Sequence, residues 1–150
     1  MGVDAIDFEA AADCGVAVYS TPGVFGDELV DYALGYLLLL ARQQHEMDRE
    51  VRAGDWHKPR GRSLAGLTLG IVGLGGSGSA PAVRAVAMKM NVVGTEPLLG
   101  AERIPSVIRT VDFEELLAMS DMISLHVPLT TETESLIDGE SISRMRKGVC

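Results

Sequence analysis

The tightest constraint in this 150-residue chain is the run Leu69-Gly70-Ile71-Val72 followed at once by Gly73-Leu74-Gly75-Gly76-Ser77-Gly78. The apolar stretch over 67–73 has the length of a strand, and the small residues from Ser77 to Met88 predict a helix. Between them lies the pattern G-x-G-x-x-G. With 17 glycines in the chain the pattern alone is a weak signal. Its position between a strand and a helix is what points to a dinucleotide-binding turn. In such a turn Gly73 permits the sharp reversal, Gly75 lets the backbone approach a pyrophosphate, and Gly78 lets helix and strand pack closely. The unpaired N–H groups at the helix start then face the two phosphates.

A second strand is expected over Asn91–Thr95. It ends at Glu96, eighteen residues after Gly78. A carboxylate there can accept hydrogen bonds from the adenosine ribose hydroxyls and would repel a 2′-phosphate. The next residues, Pro97-Leu98-Leu99, offer no arginine to offset that repulsion, so NAD is favoured over NADP. The competing readings are a solvated loop carboxylate for Glu96 and a purely structural turn for the glycines.

The remaining pattern supports an alternating architecture. Val16–Tyr19 reads as a short strand ending at Thr21-Pro22-Gly23. A single long helix is expected from an N-cap at Asp27 to Arg52, stopped by Gly54. Its apolar stripe is Val30, Leu34, Leu37, Ala41, Met47 and Val51. Leu38, Leu39 and Leu40 widen that stripe, so a second layer or a partner subunit must cover it. A polar linker spans 55–63. Beyond the glycine turn, Val107–Arg109 predicts a third strand. Asp112 caps a helix carrying Phe113, Leu116 and Leu117, with Glu115 placed to close a capping box. Met122–Val127 predicts a fourth, buried strand. Alternating strands and helices of this kind imply an α/β fold, a doubly wound, Rossmann-like parallel sheet with helices on both faces.

Composition removes several function classes. The net charge of −8 disfavours a nucleic-acid groove. The longest unbroken apolar stretch, Ala33–Ala41, is far short of the roughly 20 residues of a membrane span. No secretion signal opens the chain. Cys14 and Cys150 lack the spacing of a metal or redox pair and are expected as free thiols in a reducing cytoplasm. No metal ligand set is expected.

Motifs along the whole chain resemble the D-isomer-specific 2-hydroxyacid dehydrogenases. Gly2-Val3-Asp4-Ala5-Ile6-Asp7 is similar to that family's G-V-D-N-I-D, and Thr21-Pro22-Gly23-Val24 to its T-P-G-V loop. Arg52-Ala53-Gly54-Asp55-Trp56 resembles R-x-G-x-W. Leu125-His126-Val127-Pro128-Leu129-Thr130 with Glu132-Thr133 resembles L-H-V-P-L-T-P-E-T, and Met145-Arg146-Lys147-Gly148 resembles M-K-x-G. The resemblance implies that residues 1–22 end a flavodoxin-like substrate domain and that 23–150 begin an NAD-binding domain, leaving its sheet incomplete. It implies pyrophosphate contacts from the backbone of Gly76 and Ser77 and a ribose contact from Glu96. Val127, Pro128 and Thr133 would line the adenine and nicotinamide-ribose side. It further implies a small 2-hydroxy or 2-keto acid substrate and a homodimer formed through the nucleotide domains. A non-catalytic dinucleotide-binding or corepressor-like module is the alternative, and a decayed reading frame a third.

By the same resemblance, the arginine, acidic residue and histidine of hydride transfer would lie beyond Cys150, and the loop that cradles the substrate carboxylate before Met1. No catalytic residue is therefore expected within the chain, which by itself is expected to be inactive and poorly soluble, with an exposed fourth-strand edge. His126 reads as a packing or loop-anchoring residue, and His45 and His57 as surface residues. Four positions depart from the family pattern. Gly76 and Ser77 replace a larger pair, often arginine and isoleucine. Pro81 interrupts a helix, at up to ~3 kcal/mol. Lys89 stands where a left-handed glycine is usual, adding roughly 1 kcal/mol of strain. Weak NAD affinity is the expected result.

Overall fold

Leu69, Ile71 and Val72 are all buried, as a strand covered on both faces requires. In the computed structural model, which describes residues 3, 5–21, 24–96 and 104–150, they belong to β1 (Thr68–Val72). With β2 (Asn91–Thr95), β3 (Arg109–Thr110) and β4 (Met122–Leu125) it forms a parallel sheet of order β3-β2-β1-β4. The helices are α1 (Phe8–Asp13), α2 (Gly26–Ala41), α3 (Gln44–Ala53), α4 (Gly76–Ala87), α5 (Phe113–Met119) and α6 (Gly139–Arg144). The doubly wound sheet is as expected. Gly2, Asp4, Pro22, Gly23 and Pro97-Leu98-Leu99 lie outside the described residues.

Side chains alternate across the sheet, so each face builds its own core. Leu69, Ile71 and Val92 pack with Leu37 and Ala41 of α2 and with Ala82 and Ala85 of α4. Val72 and Val93 pack on the opposite face with Leu116 and Leu117 of α5. Each fully buried Leu or Ile here contributes about 1.5–3 kcal/mol. Gly70 sits on the α5 face, where a Cβ would meet Leu116 and Ser120, so the helix approaches the strand closely.

Several local expectations are corrected. Val16–Tyr19 forms no strand. Gly15 turns left-handed at φ 66°, and the Val16 N–H donates to the Ala11 carbonyl at 2.8 Å, closing α1 rather than joining a sheet. The long helix is two helices. Gln43 adopts φ 53°, and the Ala41 carbonyl accepts from the Arg62 N–H at 2.7 Å instead of from a continuing turn. Met47 and Val51 consequently lie exposed on α3, outside the core. Gly54 does end that helix, at φ 91°.

Asp27 is not the N-cap. Phe25 holds that position without a side-chain bond, and Asp27 instead accepts from Arg84 of α4. Asp112 caps α5 by accepting from the Glu115 N–H at 2.7 Å. The Glu115 carboxylate, however, takes Arg109 rather than closing the box. The reciprocal box occurs on α6, between Asp138 and Ser141, whose hydrogen bonds hold the Asp138 carboxyl below its usual range.

α4 runs through Pro81, which is buried and cannot donate to the Ser77 carbonyl. It ends as expected with Lys89 left-handed at φ 64°, the Met90 N–H donating to Ala85 at 3.1 Å. β4 stops at Leu125, and only Met122 of its four residues is fully buried. Its outer edge is not bare: the Ile123 N–H donates to the Cys150 carbonyl at 2.8 Å, and the Cys150 N–H to Asp121 at 3.2 Å. The Asp121 carboxylate joins this corner together, accepting from the Thr68 N–H at 2.9 Å and from Arg146 at 2.8 Å.

Candidate functional site

In this strand order the chain leaves β1 toward β2 on one side and reaches β4 on the other. The carboxyl ends of β1 and β4 thus bound a crevice at a topological switch point, where open α/β sheets take ligands. The glycine loop occupies this place. Gly73 turns at φ 92°, and its N–H donates to the Thr95 carbonyl at 2.9 Å. A Cβ on Gly73 would lie 2.7 Å from the His126 carbonyl oxygen and 2.9 Å from Val127 Cγ1. Gly78 is equally constrained, since a Cβ there would collide with the Gly73 carbonyl.

Gly75 and Gly76 differ from these. An added Cβ at either would meet nothing within 4 Å. Gly75 is the extended N-cap of α4, and Gly76 and Ser77 are its first two residues. A helix gives the N–H groups at these positions no internal partner, and they sit at the positive end of its dipole. The loop therefore combines glycines forced by packing with glycines facing open space, a cradle suited to an approaching diphosphate.

Leu74 ties this cradle to β2. Its side chain, 1% exposed, lies where a Cβ on Gly94 would come within 2.7 Å. Its N–H donates to Glu96 Oε2 at 2.9 Å, and its carbonyl accepts from the Ser79 hydroxyl. Glu96 is thus at the crevice, as its spacing suggested, but it also holds the loop backbone. Leu74 carries no signal in the sequence because it fills a variable position of G-x-G-x-x-G, and Ser79 carries none because it lies one residue beyond the motif.

The structure brings Gly73, Gly75, Gly76, Ser77, Gly78, Glu96 and Val127 together at the carboxyl ends of the strands. Pro128 and Thr133 lie in the following loop and are bonded to each other, with the Thr133 hydroxyl donating to the Pro128 carbonyl at 2.6 Å. Thr133 Oγ1 also accepts from the Thr130 N–H at 2.8 Å, so its hydroxyl folds the loop. His126 anchors the same corner. Its N–H donates to the Val72 carbonyl at 2.8 Å, and its Nε2 lies 2.9 Å from Ser124 Oγ. Burial holds the imidazole pKa below its ordinary value. A cavity of about 200 Å³ lined by Phe113, Leu117, Ser141 and Arg144 shares no residue with the glycine loop. Among the described residues, no group of three or more His, Cys, Asp or Glu could hold a metal ion, and no helix is long and apolar enough to cross a membrane. Both cysteines are exposed free thiols.

Residues 34–150 match the model of the D-isomer specific 2-hydroxyacid dehydrogenase, NAD binding domain. The chain is similar to a D-3-phosphoglycerate dehydrogenase of Archaeoglobus fulgidus, at 38% identity over 99% of this chain and 29% of that protein. It is also similar to a glyoxylate reductase of Thermococcus litoralis, at 40% identity over 97% of this chain and 47% of that protein. Among solved structures, a D-lactate dehydrogenase from Aquifex aeolicus complexed with NAD and lactic acid superposes with a TM-score of 0.84. That match has 30% identity and covers 99% of this chain and 45% of that one. The chain spans half or less of the length of these relatives. Sequence, sheet order and loop geometry agree on one lineage: the chain belongs to the D-isomer-specific 2-hydroxyacid dehydrogenase family, with NAD as the cofactor of its nucleotide-binding domain.

Proposed function

We propose that this chain supplies the cofactor-facing part of an NAD-dependent dehydrogenase that moves hydride between nicotinamide and a 2-hydroxy or 2-keto acid. Residues 1–22 are the end of the substrate domain and 23–150 the first part of the NAD-binding domain. The observation that carries this reading is the open space over Gly75 and Gly76 at the start of α4, with Glu96 at the adjoining strand end.

The N–H groups of Gly76 and Ser77 would hold the pyrophosphate, with Gly73, Gly75 and Gly78 shaping the turn. Glu96 would accept from the adenosine ribose, and Val127, Pro128 and Thr133 would line the other side of the crevice. Bound NAD supplies the hydride acceptor; the protein's part is to bind and orient it. No catalytic role is assigned to any of the 150 residues, and on this reading they bind the cofactor without turning over a keto acid.

Calorimetric titration with NADH and NADPH tests the site. NADH is expected to bind and NADPH to bind far more weakly, because the 2′-phosphate meets Glu96. Absence of NADH binding, or equal affinity for the two, overturns the assignment. Purified chain that reduces a 2-keto acid with NADH overturns the division of labour.

A homodimer through the nucleotide domain accounts for α2. Leu29, Tyr32, Tyr36 and Leu40 recur along one side of that helix and are 43%, 68%, 58% and 41% exposed, the two tyrosine rings stacking at 6.4 Å. A second subunit is the cover proposed for this stripe, and sedimentation of Tyr36→Glu as monomer against a wild-type dimer checks it. We place the protein in the cytoplasm, a reading the two exposed free thiols support.

A further inference from the structure

We infer that Glu96 is a positioning residue for the glycine loop as well as a ribose acceptor, so that one carboxylate links the two halves of the cofactor site. The inference rests on the site proposed above. Its basis is the hydrogen bond from the Leu74 N–H to Glu96 Oε2 at 2.9 Å, which joins the second residue of the glycine loop to the end of β2.

Leu74 is the loop residue best placed to transmit such a constraint. It stands between Gly73, at φ 92°, and Gly75, the extended N-cap of α4. Its side chain is locked beneath Gly94, and its carbonyl is held by Ser79 in the first turn of α4. The N–H is the third anchor, and the one set by a side chain that also faces the crevice. Fixing it sets the plane of the Gly73–Leu74 peptide, and hence the direction in which the Gly75–Ser77 backbone meets a diphosphate. A carboxylate has acceptor capacity for several hydrogen bonds, so the loop N–H and a ribose diol can share it. A hydrogen bond to an ionised acceptor is about twice as strong as a neutral one. The same charge that selects against a 2′-phosphate therefore also stiffens the loop.

A ribose acceptor alone and a positioning residue predict different responses to a ligand that has the diphosphate but lacks the diol. The probes are ADP and 2′,3′-dideoxy-ADP, titrated by NMR against the wild-type chain, Glu96→Gln and Glu96→Ala. Gln keeps an acceptor oxygen for Leu74 but removes the charge, so it controls for relief of repulsion with the phosphates. The expected result is that Glu96→Ala binds dideoxy-ADP about fivefold more weakly than Glu96→Gln, the scale of one net hydrogen bond. In the ligand-free protein, amide exchange at Leu74 should be faster in Glu96→Ala than in wild type or Glu96→Gln. ADP binding by the wild type with equal dideoxy-ADP affinities in the two variants overturns the inference and leaves the ribose contact standing. So does Leu74 exchange that is unchanged in Glu96→Ala. Absence of ADP binding by the wild type overturns the cofactor site and the inference with it.

Discussion

The carbonyl oxygen of Gly73 lies where a side chain on Gly78 would have to begin, so the first and last glycines of the loop are packed against each other. Backbone fills this space, and backbone cannot rotate away as a flexible side chain can. Gly78→Ala is expected to cost about 2–3 kcal/mol, in the upper range for overpacking. Gly75→Ala, whose Cβ meets nothing, should unfold within ~1 kcal/mol of wild type and lose NADH affinity instead. Urea melts paired with NADH titration separate the two.

Gly76 faces open space at the first turn of α4, beside the proposed pyrophosphate. Gly76→Arg should be accepted by the fold and bring a cation to the phosphates. NADH binding is expected to tighten by roughly fivefold, a partly screened charge interaction of about 1 kcal/mol. The gain should shrink at high salt. Unchanged affinity at low ionic strength counts against the placement of the diphosphate.

Pro81 in the middle of α4 and Lys89 just beyond its carboxyl end both strain this helix. Lys89→Gly relieves a left-handed residue at φ 64°, for roughly 1 kcal/mol. Pro81→Val restores an N–H toward the Ser77 carbonyl in a buried position of similar volume, for up to ~3 kcal/mol. The double variant should raise the denaturation midpoint and tighten NADH, because α4 carries the phosphate-facing N–H groups. A midpoint at or below wild type would show that the helix has already absorbed both departures.

Asp121 holds the start of β1 and Arg146 at once, with its side chain only 16% exposed. Asp121→Ala leaves the Thr68 N–H and the Arg146 guanidinium without this acceptor. A loss of about 1–3 kcal/mol is expected from the unsatisfied groups. Arg146→Ala should cost less, since that side chain is half exposed. Chemical denaturation of the two variants ranks them.

His126 gives stability a defined dependence on pH. Burial lowers its folded pKa below the unfolded value of about 6.5, so below that pH the unfolded chain binds the proton more readily. Its contribution is complete above about pH 6.5 and declines as pH falls from there toward the folded pKa. His126→Gln should flatten the fall that begins near pH 6.5, measured as the shift in urea midpoint. A fall as steep as in wild type would place the titrating group elsewhere.

Where local pattern and tertiary structure pull the same way, the chain can be read directly. Asn91–Thr95 is a strand with the expected bounds, Asp112 caps α5, and Lys89 takes the left-handed place at the end of α4. The misreadings share a cause, which is a competing partner that the local pattern does not show. Helical periodicity runs on through residue 43, yet the chain breaks there because Arg62 claims the Ala41 carbonyl and Gly61 packs over Arg42. Val16 is β-prone, but its N–H completes the α1 cap. Glu115 suits a capping box, but Arg109 offers it a charge partner. At the candidate site the glycines and Glu96 were visible from spacing. The bond between Glu96 and Leu74 was not, because no rule of sequence pairs a strand-end carboxylate with the unspecified residue of a glycine turn.

The packing of Gly73 against the backbone of His126 has a consequence for the order in which the chain assembles. More than fifty residues separate the two positions. Closing a loop of that length costs chain entropy before any contact rewards it. Strand β1 and helix α4 can form from their own neighbourhood, but the turn between them reaches its final shape only when β4 arrives. The surface offered to the cofactor is in this sense a late product of folding, and its integrity reports that the sheet has closed across its centre.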